Sequence, residues 1–249
     1  MSMIQVTLVN PTPRFQMGKD CSMGRAFYLR LGMIVPIFFL IISISGTNSK
    51  VMASQPFAFE NPDVLIDVGH GGVDGGTNYG QLLEKTLNLE VARKIFVKMQ
   101  EKGLKAAINR TGDFAPSDDN RGQGRRHLRD LSQRKAIADR LSPKVMLSLH
   151  MNWSTDTKQR GPILLHQKNE QSKKLAMALQ YSLNELYQTN QKPIYGKTFF
   201  LLKHSKCPTV IVEMGFLSNE GDRARLSSEL GQNEVAEAIA SAMVTYFKN

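Results

Sequence analysis

The sequence predicts a single α/β domain, built on a twisted, mostly parallel β-sheet that is flanked by helices. The first observation is that short apolar runs alternate along the chain with segments whose apolar residues recur at the helical period. The second is that most of these runs are apolar throughout, as strands covered on both faces are. The third is a composition of 41% hydrophobic and 22% charged residues, which excludes disorder or a coiled coil for the whole chain.

The predicted strands are six short runs rich in β-branched, aliphatic and aromatic residues. They are Val64–Val68, Leu104–Asn109, Val145–Leu149, Ile163–His166, Thr198–Leu202 and Thr209–Met214. The stretch Thr111–Arg126 has neither the strand period nor the helix period, so we expect a long loop there. Loops of this length inside a domain are commonly functional.

Three helices are predicted from apolar residues that stand three or four positions apart. Their apolar faces are Leu87, Val91, Ile95 and Met99 in the first, Leu175, Leu179, Leu183 and Leu186 in the second, and Val235, Ile239, Met243 and Phe247 in the third. The first helix is expected to end at Gly103, because glycine is the preferred residue just beyond a helix C-terminus. A further amphipathic helix is expected around Arg134, which on such a helix would pair with a nearby acid.

The N-terminal 50 residues are predicted to be a basic flank followed by a hydrophobic segment. Residues 31–49 carry no charge, and a positive flank before such a segment stays cytoplasmic. The flank contains Arg14, Lys19, Arg25 and Arg30. The segment is either a signal peptide or a single uncleaved anchor, whereas a buried core helix fits poorly because nothing polar alternates along one face. Residues 51–62 are expected to be a linker, and residues 63–249 the folded domain, outside the cytoplasm.

Charge and cysteine content limit the classes of partner and the ways of stabilising the fold. The formal net charge is +10, but residues 1–50 hold five Lys and Arg against one acid, which leaves 27 against 21 in the rest. Such a balance suits a carboxylate-rich polymer, and we expect no nucleic-acid partner. Cys21 and Cys207 are predicted on opposite sides of the hydrophobic segment, so no disulfide joins them and a hydrophobic core must stabilise the domain.

Potential metal ligands stand at the ends of three predicted strands. His70 follows the first strand, His150 the third, and Glu213 lies near the end of the sixth. Because ligands bind beyond the carboxyl ends of strands in an open α/β sheet, we expect these side chains to lie close together. Glu84, at the start of the first helix, is a fourth candidate. Two imidazoles and one carboxylate are the ligand set of an open catalytic zinc site, which would leave Glu213 free to act as a base.

Each of these residues also has an ordinary structural interpretation. His70 is a loop histidine in a glycine-rich turn, His150 a hydrogen-bonded core histidine, and Glu84 a charge at a helix N-terminus. Glu213 is the sharpest signal, because an acid within VIVEMGF needs a reason to be buried. A sheet that delivers all of them to one edge favours the metal site over the separate interpretations.

Several separated motifs resemble the zinc-dependent N-acetylmuramoyl-L-alanine amidases, in matching order over about residues 63–249. The motifs are VLIDVGHGGVDGGTNYG at 64–80, Leu83–Lys85, Arg110, Arg134 with Ala138–Asp139, Ser148–Asn152 and PTVIVEMGFLSN at 208–219. The resemblance implies that His70, Glu84 and His150 bind Zn²⁺ and that Glu213 is the catalytic glutamate. The sequence departs from the family pattern at one position. Many relatives carry a glutamate two residues after the glycine that matches Gly161, whereas this chain has Ile163 there, after Pro162.

The implied activity is hydrolysis of the amide bond between N-acetylmuramic acid and the L-alanine of the peptidoglycan stem peptide. The alternatives are another zinc amidohydrolase acting on the cell wall, either a deacetylase or a peptidase, and a non-catalytic wall-binding protein on the same scaffold. The chain is also similar to amidases that process spore cortex peptidoglycan. We therefore expect the protein outside the cytoplasm, either held at the membrane by an uncleaved N-terminal segment or secreted to the cell wall. In a sporulating cell, the corresponding location is the intermembrane space of the forespore.

The other histidines and the phenylalanines are expected to have lesser roles. His127 begins a basic helix and is either solvated or in contact with an anionic wall polymer. Phe199, Phe200 and Phe216 are expected in the core rather than stacked on sugars. His166 and His204 are expected to be structural or surface residues.

Overall fold

The computed structural model describes residues 61–116 and 125–248, which contain eight strands and six helices. The strands are β1 (Val64–Val68), β2 (Asn78–Tyr79), β3 (Leu82–Leu83), β4 (Ala106–Ile108), β5 (Val145–Asn152), β6 (Ile163–His166), β7 (Ile194–Tyr195) and β8 (Thr209–Phe216). The helices are α1 (Glu84–Glu101), α2 (Arg126–Leu141), α3 (Glu170–Tyr187), α4 (Phe200–His204), α5 (Glu220–Ser227) and α6 (Glu229–Lys248).

Six of the strands form one sheet in the order β4-β1-β5-β8-β6-β7. All neighbouring pairs are parallel except β6 and β8, which are antiparallel. The predicted mostly parallel sheet is therefore confirmed. Strands β2 and β3 form a separate antiparallel hairpin directly before α1.

Both faces of the sheet are covered, which explains why most residues of its central strands are apolar. Successive side chains of a strand point to opposite faces. In β1, Ile66 and its alternate neighbours pack into the larger core with α1, α3 and α6. Leu65, together with Met146 of β5, packs into a smaller core with Ala138 of α2 and Leu201 of α4. The sheet thus lies between two unequal helical layers.

Five of the six predicted strands and all of the predicted helices are present, but the predicted strand Thr198–Leu202 is wrong. Residues Phe200–His204 form the short helix α4 instead, and Leu201 and Leu202 are its buried residues. A short apolar run is compatible with either a strand or a buried helix, so periodicity alone does not separate them. The sheet edge next to β6 is taken by Ile194–Tyr195. Residues 111–116 of the predicted loop contain no helix or strand, and α2 begins at Arg126, the last residue of the predicted stretch.

The predicted hydrophobic segment at residues 31–49 lies outside the described residues. Within residues 61–116 and 125–248, no helix combines the length and the apolar character needed to cross a bilayer.

Candidate active site

Two imidazoles and one carboxylate meet beyond the carboxyl ends of β1 and β5. One donor atom each from His70, Glu84 and His150 lies within 4.8 Å of the others. His70 Nε2 and His150 Nδ1 are each 3.1 Å from the same oxygen, Glu84 Oε1. The predicted convergence of these three side chains is therefore observed, and they come from a loop, a helix start and a strand end that are distant in sequence.

The backbone of two neighbouring segments holds the carboxylate of Glu84 in place. Glu84 is buried, and its Oε2 accepts a hydrogen bond of 2.8 Å from the Thr77 amide. Its Oε1 accepts one of 2.9 Å from the Met151 amide. Burial by itself raises the pKa of Glu84, but hydrogen bonds from His150 and His70 outweigh burial and hold the pKa well below its usual range. The group is thus an anionic oxygen donor.

His70 is oriented by a second carboxylate, which the sequence analysis did not single out. His70 Nδ1 lies 3.0 Å from Asp74 Oδ2, so its other nitrogen, Nε2, is directed at Glu84. Burial lowers the pKa of His70, but Asp74 and Glu84 more than offset it and raise the pKa to about 9. Metal-binding histidines commonly place their second nitrogen on a carboxylate in this way. The position of Asp74 within GHGGVDGG was the available signal in the sequence.

Two buried guanidinium groups fix the backbone that carries His70. Arg134 Nη1 donates to the Val68 carbonyl at 2.6 Å, and Arg134 Nη2 donates to the His70 carbonyl at 2.8 Å. Arg110 Nη2 donates to the Gly69 carbonyl at 3.0 Å. Arg134 also pairs with Asp67 and with another acid on its own helix, as the sequence predicted in part. The loop conformation at His70, with φ of 60°, is therefore held by charged hydrogen bonds.

Glu213 lies beside this group on the neighbouring strand. It is opposite His150 in the β5–β8 register, and alternation along the two strands places both side chains on the same face of the sheet. Its Oε2 is buried and has no hydrogen-bond partner among the described residues. Burial raises the pKa of Glu213 to about 7, although His150 opposes that shift. A carboxylate with a free oxygen and a pKa near neutrality is suited to exchange a proton.

A cavity of about 500 Å³ opens above His150 and Glu213. Helix α2 contributes His127 to its wall, and Phe199 and Phe200 contribute apolar surface from the other side. Phe199 is 40% exposed, so the expectation of a core position is wrong for this residue. It stands at the start of α4, where its side chain lines the cavity. Phe216 is buried, as predicted. The cavity provides room for a substrate next to the three donor atoms.

The donor set is one that zinc prefers. Imidazole nitrogens and a carboxylate oxygen are the usual protein ligands of catalytic zinc, and the anionic state of Glu84 matches a divalent cation. The orienting contact of Asp74 on His70 adds the outer support that such sites have. The residues present therefore fit a zinc ion.

Comparison with known proteins gives the family. The sequence model of the N-acetylmuramoyl-L-alanine amidases matches residues 64–245. The chain belongs to the N-acetylmuramoyl-L-alanine amidase family. The amidase is 30% identical over 221 residues to the germination-specific N-acetylmuramoyl-L-alanine amidase of Bacillus subtilis (strain 168), which covers 87% of this chain and 92% of that relative.

Solved structures agree with the fold of the amidase. It resembles the CwlD amidase from Clostridioides difficile, whose structure contains the GerS lipoprotein, with a TM-score of 0.71, 28% identity and coverage of 76% of this chain and 99% of that one. It also resembles the catalytic domain of CwlV from Bacillus (Paenibacillus) polymyxa var. colistinus, with a TM-score of 0.64, 28% identity and coverage of 74% and 97%. The family resemblance inferred from the motifs is confirmed, and this enzyme is a peptidoglycan amidase.

Proposed function

We propose that the enzyme cleaves the amide bond between N-acetylmuramic acid and L-alanine by zinc-dependent hydrolysis. In this proposal His70, Glu84 and His150 hold the zinc ion, and Glu213 is the general base. One observation carries it: three donor atoms lie within 4.8 Å of one another, and the unpaired carboxylate of Glu213 stands on the adjacent strand.

The chemistry follows from the groups at the site. A bound zinc ion supplies a Lewis acid that polarises the scissile carbonyl and makes water a better nucleophile at neutral pH. Glu213 takes the proton of the attacking water on its free Oε2 and returns it to the leaving L-alanine nitrogen, so that the carboxylate is regenerated. Asp74, Arg110 and Arg134 keep His70 in position through its ring and its backbone.

We further propose that the enzyme works outside the cytoplasm, because its polymer substrate is there. The proposed organisation is a basic flank and a signal peptide or anchor within residues 1–50, a linker at 51–62 and a catalytic domain at 63–249. A role in the spore cortex is supported by similarity to the germination-specific amidase of Bacillus subtilis.

Two matched substitutions test the assignment of roles. Glu213→Gln should keep zinc but lower turnover by about 10²- to 10⁴-fold, because an amide does not accept the water proton at neutral pH. Glu84→Gln should lose zinc, because a neutral amide oxygen is a poor ligand. The assays are metal analysis of each variant and the appearance of free L-alanine amino termini in purified peptidoglycan.

The same experiment separates the alternatives. Loss of zinc in Glu213→Gln, with zinc retained in Glu84→Gln, would show that the two roles are reversed. Release of acetate would identify a deacetylase, and new amino termini other than L-alanine would identify a peptidase. Either product, without L-alanine termini, overturns the proposed activity.

A further inference from the structure

Two half-exposed aromatic rings lie side by side near the candidate active site. Tyr79 of the β2–β3 hairpin is 49% exposed, and Trp153, just after β5, is 46% exposed. Their ring centroids are 6.5 Å apart, with the planes inclined by 37°. The guanidinium of Arg223 in α5 lies 3.7 Å from the centroid of the Tyr79 ring. We call Tyr79, Trp153 and Arg223 the aromatic platform.

The aromatic platform is built from the two segments that hold Glu84. Tyr79 is two residues after Thr77, whose amide donates to Glu84 Oε2 at 2.8 Å. Trp153 is two residues after Met151, whose amide donates to Glu84 Oε1 at 2.9 Å. Two residues of extended chain span about 7 Å, so both rings start within that distance of an amide bound to the carboxylate. The platform therefore lies close to Glu84, one of the three candidate metal ligands.

The backbone around the platform is fixed by hydrogen bonds. Arg223 Nη1 donates to the Leu217 carbonyl at 2.8 Å, and the Leu217 amide donates to the Asn152 carbonyl at 2.9 Å. The Trp153 amide donates to Asn152 Oδ1 at 2.8 Å. A backbone that is already fixed loses little conformational entropy when a ligand binds to the rings it carries, which favours affinity.

The chemistry of the platform suits a sugar ring. The faces of aromatic rings carry negative electrostatic potential, and the C–H groups on the face of a pyranose ring are weakly positive. The guanidinium of Arg223 covers one face of Tyr79, so a sugar ring would stack on the remaining exposed ring surface. The Arg223 N–H groups that do not bond the Leu217 carbonyl can donate to hydroxyl or acetamido oxygens. Neither ring lines the cavity of about 500 Å³ over Glu213, so the platform is a separate contact area.

We propose that the aromatic platform binds an amino-sugar ring of the glycan strand next to the muramic acid that is cleaved. This inference rests on the proposed function, which supplies a substrate with sugars on either side of the reacting unit. It makes a glycan strand a better substrate than an isolated muramoyl peptide, through a contact made equally before and during the reaction. Such a contact lowers KM and leaves kcat unchanged.

Fluorescence offers a direct test, because Trp153 is the single tryptophan of the chain. The full chain would be titrated with glycan strands stripped of their stem peptides, which lack the muramoyl–L-alanine amide. A saturable change in tryptophan emission is expected. Tyr79→Ala should raise the apparent Kd by about 3- to 10-fold, which is the scale of one aromatic contact. Tyr181→Ala is the control, because Tyr181 is 68% exposed but lies on α3, outside the platform. No change in emission, or equal Kd values for the two variants, overturns the proposal.

Kinetics provide the second test. The quantity to measure is the ratio of KM for glycan strands to KM for a single muramoyl peptide. Trp153→Ala should raise this ratio by about 3- to 10-fold, whereas Tyr181→Ala should leave it unchanged. Trp153→Phe should restore part of the difference, because it keeps a ring. Equal KM ratios in wild type and Trp153→Ala overturn the inference, and this is the result expected if the platform binds a protein instead. If the wild type released no L-alanine termini from either substrate, the proposed function itself would have failed.

Discussion

Gly76 occupies a position in the candidate site where a methyl group does not fit. Its φ is +68°, and a Cβ there would lie 2.5 Å from Glu84 Oε2 and 2.7 Å from His70 Cδ2. Ordinary contacts of a Cβ atom begin at 3.4 Å, so Gly76→Ala requires the Glu84 oxygen to move by about 0.9 Å. We predict that this substitution weakens zinc binding although it changes no ligand.

The size of the effect follows from what holds Glu84. Its Oε2 accepts a hydrogen bond of 2.8 Å from the Thr77 amide, and a shift of this size breaks or bends that bond. Loss of a group that orients a metal ligand typically costs about 10- to 100-fold in metal affinity. This corresponds to about 1.4–2.8 kcal/mol of binding free energy. We therefore expect the zinc Kd of Gly76→Ala to rise by one to two orders of magnitude.

Gly80→Ala is the matched control for backbone strain. Gly80 has a φ of +60°, but no atom lies within 4 Å of a Cβ added there. Both substitutions should cost about 1–2 kcal/mol of stability through left-handed backbone strain, measured by urea unfolding. Competition with a chelator of known affinity would give the zinc Kd of each variant. The reasoning fails if Gly76→Ala binds zinc as tightly as the wild type, or if Gly80→Ala weakens binding equally.

Other parts of the molecule give further predictions. His150→Ala should lower bound zinc and abolish hydrolysis, and chelation should do the same until zinc is added back; full activity in a verified metal-free sample would contradict this. Arg134→Met should destabilise the fold by about 3–5 kcal/mol, because Asp67 remains buried without its cation, and a loss below about 1 kcal/mol would contradict the arrangement. Burial opposes ionisation of Asp67, but Arg134 holds its pKa below the usual value, so stability in urea should fall as the pH drops below about 4, less steeply in Asp67→Asn. A protease added to intact wall-free cells should digest residues after 50, and protection of that domain while an outside marker is cut would refute the topology.

The sequence by itself determined the strands at the centre of the sheet and the three long helices. Val64–Val68 was predicted with its observed bounds, because a run that is apolar except for Asp67 is stable only between two layers. The same logic placed His70 and His150 together, since parallel strands bring their carboxyl ends to one edge. Local pattern and one rule of sheet topology were sufficient for these features.

Only the tertiary structure decided the features that depend on contacts between distant segments. The apolar run at Phe200 forms a helix that buries Leu201 and Leu202, whereas Ile194–Tyr195 forms the edge strand beside β6. The loop after β1 brings Asp74 to within 3.0 Å of His70, so that Asp74 orients the imidazole. No hydrogen-bond donor among the described residues reaches Glu213 Oε2, so that this oxygen stays unpaired. Tyr79 and Trp153 are 74 positions apart in the chain, and they pair only because both of their segments close on Glu84. Periodicity records which face of an element is buried, whereas the partner across that face is chosen by packing of the whole chain.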